Sequence, residues 1–111
     1  MPVSSGFFKQ IYAVVSKIPI GFVCTYGQIS TLCDNPRAAR QVGYALHSVP
    51  DTLGLPCHRV VDRFGALSPE HVFEGQDIQR SLLESEGITF LPNGRIDLKK
   101  HLWRVDSSFF M

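Results

Sequence analysis

Apolar positions in the first part of the chain recur by threes and fours: Phe7, Phe8, Ile11, Tyr12, Val15 and Ile18. That period puts them on one face of a helix, led in by Ser4-Ser5-Gly6 and stopped before Pro19 and Gly21. Gly21-Phe22-Val23-Cys24 reads as a short extended link. Thr25, with Gln28 three residues later, has the pattern of a capping box and predicts a second, short helix from about Tyr26 to Leu32. Asp34-Asn35-Pro36 breaks that helix. Asn35 as cap, with Pro36 at the first helical position where its missing N–H costs nothing, predicts a third helix from Pro36 to about Ser48. This helix carries Arg37 and Arg40 beside the small residues Ala38, Ala39 and Gly43. Two helices joined by a tight turn, the second basic and small-surfaced, match a helix-turn-helix.

The pattern then becomes less regular. Pro50 to Gly54 is a loop, and Leu55 to Val61 reads as a buried irregular or short-strand segment. Asp62-Arg63-Phe64-Gly65 turns the chain, with Ala66-Leu67 pairing back as a small wing. From about Gly75 to Ser85 a fourth helix places Ile78, Leu82 and Leu83 on one side, with Gly87 as its stop. Ile88-Thr89-Phe90 and Arg95-Ile96-Asp97-Leu98 flank Pro92-Asn93-Gly94, a strong hairpin signal. The expected fold is α+β and mostly helical: a winged-helix-like DNA-binding domain with a helix-turn-helix and short hairpins. At 111 residues it is expected to form one domain, 1–111, because neither half would have a core of its own.

Composition adds exclusions more than identity. With 44% hydrophobic and 19% charged residues the chain is an ordinary globular protein. Its apolar runs fall far short of the roughly 20 residues that span a bilayer. The N-terminus has no basic segment leading an apolar stretch, so no signal peptide is expected. These features point to the cytoplasm, nucleoid-associated in a prokaryote, with no membrane partner, and the chain is expected to be a monomer. A net charge of +1 neither demands nor excludes nucleic acid, so the placement of Arg and Lys matters more than their number. Cys24, Cys33 and Cys57 are odd in number and irregularly spaced. No Cys-x-x-Cys or Cys-x-x-His pair suggests zinc, a disulfide framework is not expected, and at least one thiol is free. No metal and no cofactor are implied.

One segment carries chemistry: Pro56-Cys57-His58-Arg59-Val60. A cysteine is a nucleophile only as thiolate, and an imidazole nearby can take its proton, directly or through a water. A carboxylate behind the imidazole would fix its tautomer and support its positive charge. Glu86, at the end of the fourth helix, is the natural candidate, although spacing does not select it over Glu84. Against this stands a plain structural reading. Cys57 would be a small buried hydrophobe, His58 a satisfied core histidine, Arg37 and Arg40 a solvated helix face, Tyr26 a core-packed neighbour of the capping box, and Glu86 an exposed helix-end residue.

The motifs together go further. Ile18-Pro19-x-Gly21, Thr25-Tyr26-Gly27-Gln28-Ile29, Pro36-Arg37-Ala38-Ala39-Arg40-Gln41-Val42-Gly43, Leu55-Pro56-Cys57-His58-Arg59-Val60-Val61 and Glu86-Gly87 occur in that order. From about Phe7 to Trp103 the chain resembles the C-terminal, DNA-binding and active-site domain of the O6-alkylguanine-DNA alkyltransferases. The resemblance implies that Cys57 accepts the alkyl group from guanine O6 by in-line displacement, irreversibly and without a cofactor. It implies that His58 draws off the thiol proton through a water, that Glu86 orients His58, and that Arg59 is structural. Tyr26 would assist nucleotide rotation and donate a hydrogen bond to N3 of the leaving guanine. Arg40 would enter the base stack from the minor groove and fill the vacated place. Arg37 would more plausibly touch a phosphate than read a base. Ala38, Ala39 and Gly43 would let the helix approach DNA closely, and Pro56, Val60 and Gly75 would line the lesion pocket. Guanine O6 is buried in a duplex, so such chemistry requires base flipping.

Three departures qualify the resemblance. The larger N-terminal domain of the full-length family members has no counterpart, a layout like the alkyltransferase-like branch. That branch binds O6-alkylguanine without repairing it, hands it to nucleotide excision repair, and typically carries Trp or Ala at the acceptor position. Here Cys57 is kept. Val49 stands where active members have an asparagine hinge, and Ser68 to Gly75 replaces a Tyr-Ser-Gly-Gly substrate loop, with Glu70 near a position that is arginine in some members of that branch. Three readings follow: a single-turnover alkyltransferase, a lesion sensor that recruits excision repair, and a winged-helix regulator. The partner expected under the first two is double-stranded DNA containing O6-alkylguanine.

Overall fold

The computed structural model describes residues 5–67 and 76–105. The first apolar face forms helix α1, Ser5–Ser16. Ile11, Val14 and Val15 are buried along it, with Ile18 just beyond its end. Strand β1 is only Cys24–Thr25, and Thr25 at once caps helix α2, Tyr26–Leu32. The predicted capping box is present. The Thr25 hydroxyl accepts from the Gln28 N–H at 3.1 Å, and the Gln28 side chain accepts from the Thr25 N–H at 3.4 Å. A cap of this kind stabilises a helix by about 1 kcal/mol, useful in an element of two turns.

Helix α3 runs Ala39–Ser48, three residues later than the Asn35-Pro36 pattern predicts. Instead of capping a helix, the Asn35 carbonyl accepts from the Ala38 N–H at 3.1 Å, closing a turn around Pro36 and Arg37. Ala38 is itself the helix cap, without a side-chain hydrogen bond, and it is 4% exposed. Val42, Ala45 and Leu46 face inward from α3, whereas Arg40, Tyr44 and His47 face out. Helices α2 and α3 pack on each other and on α1, giving the expected helix-turn-helix.

After a short 3₁₀ turn at Asp51–Leu53, a second one, Cys57–Arg59, leads into strand β2, Val60–Val61. β2 pairs with β1 in parallel, Cys24 opposite Val60 and Thr25 opposite Val61. Four residues make the whole sheet, and side-chain alternation makes it a partition. Cys24 and Val60 join the core under α1, α2 and α3 with Ile11, Val15, Ile29 and Val42. Val23 and Val61 join a second core with Leu83, Ile88 and Ile96. Each such fully buried aliphatic contributes about 1.5–3 kcal/mol, so packing on both faces, more than the ladder, holds the strands together.

Helix α4 covers Gln76–Ser85, and Gly87 follows in the left-handed region at φ +89°. The side it buries differs from the expected one. Ile78 and Leu82 are 47% and 40% exposed, while Gln79 and Leu83 are fully buried. Spacing of four then three carries the same face on to Glu86. The Asn93-Gly94 turn exists, with the Gly94 N–H on the Leu91 carbonyl at 2.9 Å. Its arms, however, meet only at the single bridge Phe90–Ile96, because Leu98 already begins helix α5, Leu98–His101. The expected wing is likewise a tight turn: the Asp62 N–H reaches the Ala66 carbonyl at 3.2 Å and no strand follows among the described residues. Trp103 packs on the first core. Phe109, Phe110 and the Ser68–Gly75 segment lie outside the described residues.

Candidate DNA-lesion site

The turn Cys57–Arg59 is held from three sides. Its amides are satisfied locally, Cys57 N–H on Leu55 at 2.8 Å and Arg59 N–H on Pro56 at 3.0 Å. From α4, the buried Gln79 amide donates to the His58 carbonyl at 3.1 Å and the Val60 carbonyl at 3.3 Å. Arg59 completes the hold. Its Nε and Nη2 donate to the two oxygens of Glu86, each at 2.8 Å, and its Nη1 donates to the Ile18 carbonyl at 2.8 Å. This two-pronged pairing fixes the carboxylate plane as well as its position.

Glu86 is thereby the carboxylate that His58 meets: Nε2 of His58 lies 2.8 Å from Glu86 Oε2. Glu84 instead pairs with Arg80 along α4, at 3.3 Å. With Arg59 first among the causes and His58 next of the favourable ones, the Glu86 pKa is lowered to about 2. Against an ionised carboxylate, neutral His58 carries its proton on Nε2, which leaves the Nδ1 lone pair as acceptor. Burial pushes the Cys57 thiol up to about 11. Among the described residues no direct hydrogen bond joins Cys57 to His58, so proton transfer between them needs an intermediary. Tyr12 stands close enough for the Cys57 charge to raise its own pKa, after burial, and its hydroxyl donates to the Ala45 carbonyl at 3.0 Å.

The remaining expected residues divide. Tyr26 opens α2, half-buried against the first core. Arg37 and Arg40 are exposed, and neither has an ion-pair partner among the described residues. Ala39 and Gly43 are partly exposed, and a Cβ on Gly43 would meet nothing within 4 Å, so that side of α3 is open to close approach. Two assignments are corrected. Ala38 belongs to the interior, because the late helix start turns it inward. Val60 is fully buried in the first core, so in this structure its side chain is closed off from any lesion pocket. Pro56 is partly exposed beside Cys57, and Gly75 lies outside the described residues. Val49 ends α3 in an extended conformation.

Two residues that the patterns did not single out belong here. Gln79 supports the Cys57 turn, and its signal was its place one helical turn before Leu83 on the face that ends at Glu86. Tyr44, 59% exposed, sits one turn after Arg40 on the open side of α3.

The sequence profile of the 6-O-methylguanine DNA methyltransferase DNA-binding domain matches residues 6–88. The chain belongs to this methyltransferase family. Among its relatives, the DNA base-flipping protein of Escherichia coli strain K12 is 40% identical over 105 residues, 93% of this chain and 78% of that protein. Alkyltransferase-like protein 1 of Schizosaccharomyces pombe is 33% identical over 88% of this chain and 94% of its own length. A methylated-DNA–protein-cysteine methyltransferase of Methanosarcina acetivorans is 37% identical over 78% of this chain, but over 54% of the longer enzyme. The fold agrees. The crystal structure of the S. pombe protein Atl1 with damaged DNA containing O6-carboxymethylguanine superposes with a TM-score of 0.80 at 31% identity, covering 92% of this chain and 98% of that one. The methyltransferase family thus includes proteins named for base flipping and proteins named for methyl transfer. No described helix of this member is long and apolar enough to cross a membrane.

Proposed function

We propose that this protein binds duplex DNA through α2 and α3, rotates O6-alkylguanine out of the stack, and transfers the alkyl group to Cys57. The observation that carries the reading is the chain of 2.8 Å contacts from Arg59 through Glu86 to His58, set directly behind a cysteine. A histidine satisfied only for packing has no need of a carboxylate clamped by a two-pronged arginine. In the reaction the S–C bond forms as the bond from the alkyl carbon to guanine O6 breaks. The thiol proton passes to Nδ1 of His58 through a water, and the imidazolium is stabilised by Glu86. Tyr26 donates to the leaving guanine at N3, and Arg40 takes the place of the rotated base. The sulfur is not regenerated, so each molecule acts once, as a monomer and without cofactor.

A second reading has its own support. The relatives matched along most of their length are named base-flipping and alkyltransferase-like, and a thiol raised to about 11 is a poor nucleophile until its proton has somewhere to go. Under this reading the protein holds the flipped lesion and recruits excision-repair proteins. Intact-protein mass spectrometry after incubation with an O6-methylguanine duplex separates the two. A gain of one methylene, absent in Cys57→Ser, is the expected result. No gain, with tight binding selective for the lesion, would establish the sensor. Binding to undamaged DNA as tight as to lesion DNA would favour a regulator and sink both.

A further inference from the structure

We propose that Arg63, Phe64 and Arg95 form a phosphate clamp, a second contact to duplex DNA beside the start of α2; this rests on the DNA-binding reading above. Phe64 projects from the Asp62–Gly65 turn with 53% of its surface exposed. The Arg63 guanidinium carbon lies 4.7 Å from its ring centroid and that of Arg95, from a different loop, 5.4 Å. Both are within the range of cation–π attraction. Both arginines are exposed, and neither pairs with a described carboxylate. Asp62, next to Arg63 in sequence, is engaged within its own turn, its Oδ1 accepting from the Phe64 and Ala66 amides at 2.8 and 2.9 Å.

The arrangement is built into the backbone. Gly65, at φ +83°, lies so close to the second loop that a Cβ would fall 2.8 Å from the Ile96 carbonyl oxygen. The Ile96 amide donates to the Gly65 carbonyl at 2.9 Å. That approach sets Arg95 beside Phe64. Two cations held on one ring repel each other, and anions are their favourable occupants.

Sheet register says which anion. β1 and β2 are parallel and paired Thr25 to Val61, so Tyr26 and Asp62 leave the sheet at the same end. The turn that carries Arg63 and Phe64 therefore leaves the sheet beside the start of α2, and Arg37 and Arg40 of the α2–α3 unit are likewise exposed and without an ion-pair partner among the described residues. A duplex backbone offers phosphates to separate basic elements at once, which a single acidic side chain does not.

The salt dependence of binding tests this, using an O6-methylguanine duplex and its undamaged counterpart from about 50 to 200 mM salt. The Arg63→Ala, Arg95→Ala double variant should lower the slope of log affinity against log salt by about 2, roughly one per phosphate contact. It should weaken both duplexes by the same factor, because phosphate contacts carry no lesion preference. An unchanged slope in a variant that melts like the parent would overturn the clamp alone. A parent protein that binds neither duplex at any salt would overturn the clamp together with the DNA-binding reading.

Discussion

Replacing Glu86 by Gln tests the centre of the site with the smallest change in shape. The carboxylate has three partners at 2.8 Å, Nε and Nη2 of Arg59 and Nε2 of His58. An amide can accept only through its one oxygen, so a donor of Arg59 or His58 would then face a donor. The stability at stake follows from the pKa displacement, from 4.5 to about 2. At about 1.4 kcal/mol per pH unit this is about 3 kcal/mol, and because the side chain keeps 15% of its surface in solvent, screening reduces it to about 2 kcal/mol. For a domain of this size that corresponds to a fall in Tm of about 8 °C. The sign of the pH dependence is fixed by the direction of the shift. A carboxylate whose folded pKa is depressed contributes fully above its unfolded value near 4.5 and loses that contribution as pH falls towards 2. Urea unfolding of both proteins at about pH 6 and about pH 3 should therefore show a gap at the higher pH that has shrunk at the lower. A gap of equal size at both would refute the argument, because the loss would then not come from the charge. The variant should also transfer methyl groups more slowly, since His58 loses its counter-charge.

Arg40→Ala should reduce lesion-duplex affinity by about 2 kcal/mol, roughly thirtyfold, with Tm unchanged, since the side chain is exposed and has no ion-pair partner among the described residues; unchanged affinity at matched salt would remove the proposed insertion. Gly65→Ala should lower Tm substantially, by about 1–3 kcal/mol of stability, because the added carbon meets backbone and the φ is left-handed; an unaltered melting curve would mean the two loops are not pinned there. Alkylation by iodoacetamide in the free protein should reach half-buried Cys33 first. Cys57, raised to about 11, should follow, with a rate climbing nearly tenfold per pH unit, and fully buried Cys24, raised to about 12, should come last. Mass mapping that finds Cys57 the fastest at neutral pH would show a thiol already activated without DNA.

What could be read from sequence was whatever local rules dictate. The capping box at Thr25 and Gln28, the stop at Gly87 and the helix-turn-helix depend on neighbours within a few residues, and they appear at or near the expected places. Misreadings came where a distant partner decides. Pro36 looked like a helix start, but the loop folds into a turn first and sends Ala38 inward. Ile78 and Leu82 looked like a core face, yet α4 buries Gln79, whose amide is needed by the carbonyls of His58 and Val60. No periodicity announces that a polar residue will be the buried one. The choice of Glu86 over Glu84 likewise depended on Arg59, which only the fold brings there.

The two-residue sheet has a consequence for how the protein comes into being. Its strands are drawn from the first quarter of the chain and from beyond the middle, and the carboxylate behind His58 comes from later still. Long-range closure of this kind is late in folding, because loop entropy must be overcome before any contact rewards it. A nascent or partly opened chain therefore carries Cys57 as a bare thiol with no base arranged behind it. In that state the thiol also lacks the burial that raises it to about 11 in the folded protein, so closing the fold withdraws the sulfur from solution in the same step that sets His58 and Glu86 behind it.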